Sequence, residues 1–180
     1  MDLHDIVMAV GNSGLGEWMR TNVRAMPVVE ALHVMAAATV MGTVLVVDLR
    51  LLGLPNLKRA VTRVSGEMLR FTWAAFALAV ITGVMMFAAN ANTYYGNTAF
   101  RIKLLALAAA GVNMALFHFG AFRSVAQWDQ NQVSPRAAKV AAALSILLWV
   151  GVIFVARWIG FTKGYDFSVP DNIDLDLTIP

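Results

Sequence analysis

Four stretches of this chain are so long and so apolar that a lipid bilayer is the surrounding that suits them. They run from about Pro27 to Asp48, Phe71 to Ala89, Leu104 to Phe122 and Val140 to Trp158. A helix of about 20 residues crosses roughly 30 Å of hydrocarbon, and each stretch is near that length. The second, FTWAAFALAVITGVMMFAA, carries no charge. In the third, LLALAAAGVNMALFHFGAF, only Asn113 and His118 are strongly polar. Helices satisfy their own backbone polar groups, as lipid requires, and Pro27 suits a first helical turn. Packing four such helices inside a soluble protein would leave too little polar surface. Charged residues are 14% of the 180, against 59% hydrophobic, where a soluble globule carries about 25% charged residues. The expected fold is all-α, an integral membrane four-helix bundle.

A short helix is expected to precede the bundle. In GLGEWMRTNVRAM, Trp18, Met19, Val23 and Met26 recur at helical spacing, which fits an amphipathic segment lying at the membrane interface. The expected organisation is an interfacial segment over 1–26, a transmembrane unit over 27–161 and an extramembrane tail over 162–180. The tail alternates polar and apolar residues over NIDLDLTI and reads as a short strand or an extended arm. The amino terminus has two early aspartates and no basic start, so it does not read as a cleavable signal.

Basic residues set the expected orientation. Arg50, Lys58, Arg59, Arg63, Arg70, Arg123, Arg136 and Lys139 fall on one side of the membrane. Arg20, Arg24, Arg101, Lys103, Arg157 and Lys163 fall on the other, near an acidic tail. The eight-to-six margin puts both termini outside the plasma (inner) membrane, periplasmic where there is a periplasm. The net charge of +3 reads as this topology bias and not as a nucleic-acid footprint. Trp158, Tyr94 and Tyr95 would form an outer aromatic belt, with Trp73 at the inner end.

Ionisable side chains within spans are costly and so mark candidate sites. His33 lies on the same helix face as Glu30, above the small residues Ala36 and Ala37. His118 sits above Gly111 and Ala115. Imidazole on a spanning helix can ligate haem iron, with its second ring nitrogen seeking a partner. Counted along the helices at 1.5 Å per residue, the two histidines differ in depth by on the order of 13 Å. One haem bridging both is therefore disfavoured. The remaining haem arrangements use separate haems with Met85 or Met86 as a second ligand, a haem shared between subunits, or a single ligated histidine. Arg101 and Lys103 would neutralise propionates. Competing readings give the histidines a plain interhelix hydrogen bond, a proton relay, or a quinone or metal site. Ten Met and three His raise copper, but they form no clustered ligand pattern, and most of the methionines read as packing. Asp48 reads as a helix-end lock onto a linker arginine such as Arg70, and Gly53 with Pro55 breaks the helix after it. Asn97 and Asn113 are further polar candidates. With no cysteine, thiolate sites and covalent haem attachment are excluded. Nucleotide-loop, HExxH and GxSxG signatures are absent.

The segment PVVEALHVMAAATVMGTVLVVDLRLLGL, followed by FAANANTYYGNTAFRIKLLALAAAGVNMALFH, resembles an uncharacterised family of small bacterial four-helix membrane proteins. The likeness spans roughly residues 20–160. It implies His33, Asp48, Arg50, Asn97, Arg101, Lys103 and His118 as the family-like positions, and it implies no activity. A looser similarity to cytochrome b-like and copper-resistance membrane subunits favours haem b. The expected function is a b-type haem electron-transfer subunit, with a membrane or periplasmic redox protein as partner and homo-oligomerisation open. The main alternative is a non-catalytic anchor or scaffold subunit of a larger complex. A small transporter would need a polar route that the second and fourth spans do not offer.

Overall fold

The computed structural model describes residues 2–54, 60–129 and 133–162, and within them it is all-helical. Two short helices, α1 (Leu3–Gly11) and α2 (Gly14–Thr21), precede the first long one, α3 (Ala25–Leu52). Then come α4 (Val61–Ala89), the single-turn-scale α5 (Ala91–Gly96) and α6 (Thr98–Phe119). A 3-10 helix, Ala121–Gln127, leads to α7 (Arg136–Thr162). The four long helices each have the length and apolarity to cross a membrane. The carboxyl-terminal tail and linker residues Lys58 and Arg59 lie outside the described residues.

The helix ends follow local chemistry. α1, absent from the sequence expectation, is held by a capping box in which Asp2 and Asp5 exchange side-chain and backbone hydrogen bonds. Ser13 caps α2 through the Gly16 N–H. α3 begins two residues before Pro27, which leaves the proline in a first turn whose N–H groups lack intrahelical partners. It stops at Gly53, whose φ of 95° is the left-handed cap that closes the last carbonyls. α4 starts ten residues before the expected Phe71. Its first turns are amphipathic, with Val61 and Val64 buried and Arg63 paired to Glu67 at 3.1 Å. Polar turns that continue a helix beyond the hydrocarbon are invisible to an apolar count. α6 ends at Phe119, not Phe122, because Gly120 terminates it.

The long helices pack in the order α4, α3, α7, α6. The row bends so that α4 and α6, its two ends, face each other across a cleft without packing against one another along their length. Apolar clusters pack the two ends of the bundle. At the end that carries the α3–α4 and α6–α7 linkers, Leu51, Val61, Trp128, Ala138 and Ala142 form a buried core, with Phe117 packed against it. At the opposite, terminal end, Tyr94, Ala99 and Ile159 are buried with Phe87 and Phe100. A third cluster, Met19, Ala25, Val29 and Ala89, docks α2 onto α3 and α4. Much apolar area on the long helices stays exposed, including Leu105, Leu116, Leu147 and Phe154. In a bilayer that is the lipid-facing surface.

Candidate functional site

His33 is half-buried on α3 and faces α4. Its Nδ1 lies 3.0 Å from Thr82 Oγ1. The Thr82 hydroxyl donates to the Leu78 carbonyl at 2.7 Å, so its oxygen is left to accept from His33 Nδ1–H. That assignment places the Nε2 lone pair on the other side of the ring. The helices approach closely here because Gly83 has no side chain. A Cβ at Gly83 would sit 3.3 Å from His33 Cε1. Thr82 was not among the residues singled out from sequence. Its signal was a hydroxyl next to glycine, one of two threonines in an otherwise apolar span, which averaging over a hydropathy window removes.

His118 is elsewhere. It is exposed in the last turn of α6, stacked on Phe122 with ring centroids 5.0 Å apart. α3 and α6 run in the same direction. His33 lies roughly 12 Å along α3 and His118 roughly 30 Å along α6, at 1.5 Å per residue. The structure does not bring the two histidines together. Met85 and Met86 pack against the Met19–Val29 cluster. Glu30 is exposed. Arg101 donates to the Tyr95 carbonyl at 2.9 and 3.1 Å and lies over the Tyr95 ring, while Lys103 lies over the Phe100 ring at 4.9 Å. Arg101 thereby fastens the α5–α6 turn, while Lys103 packs along its own helix. Asn97 caps α6 by accepting from the Phe100 N–H. Tyr94 is buried in the terminal-end cluster and so is not part of an exposed aromatic belt.

Asp48 and Arg50 are both buried, at 6% and 4% exposure. Asp48 forms no ion pair with Arg70. It meets α7, where the Ser145 hydroxyl hydrogen-bonds its carboxyl, and its Oδ2 is buried without a hydrogen-bond partner. Arg50 instead reaches across to the Asp129 carbonyl at 3.1 Å. Asp129, on the α6–α7 connection, then caps α4 from outside that helix. Its carboxylate accepts from the Thr62 N–H at 2.9 Å and the Thr62 hydroxyl at 2.7 Å, and its carbonyl accepts from the Val61 N–H. Partial burial alone would raise the Asp129 pKa. The bonds from Thr62 and Val61, with the charge of Arg50, outweigh that and hold it below the usual 3.8. At the other end, Arg20 Nη1 donates to the carbonyls of Gly11, Ala89 and Ala88, and so closes the carboxyl ends of α1 and α4 together.

The cleft between α4 and α6 has a volume of about 170 Å³. Its wall is mainly apolar and aromatic, with Trp73, Phe76 and Trp149 among its residues. Three polar side chains line it: Thr72, Asn113 and Ser145. Thr72 donates to the Thr43 hydroxyl at 2.8 Å, and Asn113 Nδ2 donates to the Ala141 carbonyl at 2.9 Å. Asn113 was expected as a polar site residue; Thr72 and Ser145 were not. Among the described residues no three His, Asp or Glu side chains cluster as a metal site.

A family model described as "Family of unknown function (DUF6644)" matches residues 17–162. No curated protein and no solved structure matches the chain. The match runs from α2 through all four long helices, so the chain belongs to this family of multi-span membrane proteins.

Proposed function

We propose that this DUF6644 member is a non-catalytic membrane subunit that anchors or scaffolds a larger complex in the plasma (inner) membrane. One observation carries this reading: four of the polar groups singled out in the sequence are each engaged in joining one helix or turn to another. His33 reaches Thr82, Asn113 reaches Ala141, Asp48 reaches Ser145, and Arg50 reaches Asp129. Such bonds fix a rigid bundle, at a worth of about 0.6 kcal/mol each on average inside a membrane. The short connections between spans leave little extramembrane mass for chemistry of its own. The test is isolation of the tagged chain from native membranes in mild detergent after cross-linking. A partner recovered in fixed ratio, and lost from the membrane when the chain is deleted, is the expected outcome. Recovery of the chain alone, with membrane composition unchanged on deletion, would overturn the proposal.

A b-type haem at His33 is the second reading. The observation that favours it is the Nδ1–Thr82 bond, which fixes the ring and directs the free lone pair to Nε2, as ligating histidines require. When bound, a haem would supply one-electron chemistry, and His33 would hold its iron. A reduced-minus-oxidised spectrum with a pyridine haemochrome assay tests it. Bands lost on His33→Ala and kept on His118→Ala would establish this reading. A haem-free spectrum from native membranes would end it.

A further inference from the structure

We propose that the α4–α6 cleft binds the ring headgroup of a neutral, lipid-tailed quinone or quinol. The inference is independent of whether the chain scaffolds a partner. Access comes first. The cleft is closed at the linker end by Leu51, Ala142 and Phe117, which belong to the cluster around Trp128. Beyond that seal its wall includes Trp73, Phe76 and Met114, each also exposed. The mouth therefore opens sideways between two membrane-spanning helices, and its ligand arrives through lipid.

Size comes next. Pockets that bury a whole drug-sized ligand measure roughly 300–1,000 Å³, whereas an apolar cavity of about 150 Å³ accommodates one benzene. At about 170 Å³ the cleft holds one substituted ring and leaves a tail in the bilayer. Chemistry then narrows the class. The four aromatic side chains of its lining, Trp73, Phe76, Phe117 and Trp149, suit a flat ring. An acyl chain would have no use for the polar groups on the wall. These groups, Thr72, Asn113 and Ser145, are neutral, so they suit a neutral headgroup and not a phosphate or ammonium. Ser145 gives its hydrogen to Asp48 and keeps acceptor lone pairs. Asn113 engages one amide hydrogen with Ala141 and keeps another. The remaining Asn113 hydrogen suits a quinone carbonyl, and the Ser145 lone pairs suit a quinol hydroxyl.

Gly111 provides the test, because it lines the cleft and a Cβ there would meet nothing within 4 Å. Gly111→Phe, whose Cβ has open space, should place a ring in the ligand's space. The protein in phosphatidylcholine nanodiscs is titrated with a decyl-tailed benzoquinone, read by quenching of tryptophan fluorescence. The expected result is saturable quenching whose amplitude falls in Trp149→Phe, with affinity at least tenfold weaker in Gly111→Phe. Asn113→Leu, which is close to isosteric and removes the amide hydrogen offered to a quinone carbonyl, should weaken it several-fold. Quenching that rises linearly and equally in wild type, Gly111→Phe and Asn113→Leu would overturn the proposal. So would equal competition by decanol, which has the tail and no ring.

Discussion

Gly16 sits where the ends of α1 and α4 meet α2. A Cβ there would lie 2.5 Å from the Gly11 carbonyl oxygen and 2.7 Å from that of Ala88, both backbone atoms that cannot swing aside. Gly16→Ala is therefore expected to lower stability by about 1–3 kcal/mol, as overpacked sites do. Gly14→Ala, where nothing lies within 4 Å of the added carbon, should leave the melting temperature in detergent unchanged or slightly raised. Equal melting temperatures for the two variants would refute the close approach. The sequence GNSGLGEW shows that glycines are present but not which of them is crowded, because the crowding atoms come from α1 and α4. His33 illustrates the same limit. Its presence inside a span was legible, but its partner Thr82 lies 49 positions away and is an unremarkable residue by hydropathy.

At the scale of the element, α4 lacks a side-chain cap of its own, and Asp129 supplies one from the α6–α7 connection. Replacing a capping residue by alanine costs about 1 kcal/mol, and Asp129→Ala should lose that much. The cap is also pH-dependent. The carboxyl is held below its unfolded value of 3.8, so the native state binds the proton less readily than the unfolded state. The stabilisation is then fully present well above 3.8 and fades as pH falls through the folded value. Thermal unfolding compared at about pH 6 and about pH 3 should show a larger loss for the wild type than for Asp129→Asn. Parallel losses would mean that the carboxylate does not act as the cap. The early start of α4 belongs to the same scale. Its polar first turns are stable because Val61 packs beside Trp128 and because Asp129 covers the free N–H groups.

At the scale of the whole molecule, the absence of cysteine makes the orientation simple to measure. Single cysteines at Thr21, on the terminal end, and Arg63, on the linker end, can be labelled with a membrane-impermeant maleimide in intact cells. The excess of basic residues at the linkers predicts labelling of Thr21→Cys from outside, and of Arg63→Cys only after permeabilisation. The reverse pattern would invert the topology and place the mouth of the cleft in the outer half of the bilayer. In the expected orientation it opens in the cytoplasmic half, since its α4 residues, Leu69 to Phe76, come from the first part of that helix.

Four spans, their approximate limits and the break at Gly53 were determined by the sequence alone. Hydrocarbon imposes a length and an apolarity on any segment that crosses it, and both are local properties of the chain. Asp48 and Asn113 were visible as costly polar residues for the same reason, whereas Arg50 was legible only as a basic linker residue. Which residues they meet was decided only by tertiary structure. All four long helices are apolar around much of their surface, so their sequences do not say which faces touch. The order α4, α3, α7, α6 follows from close fits such as His33 across Gly83, and from single hydrogen bonds such as Asn113 to Ala141. That order leaves α4 and α6 apart, and the cleft exists because they are.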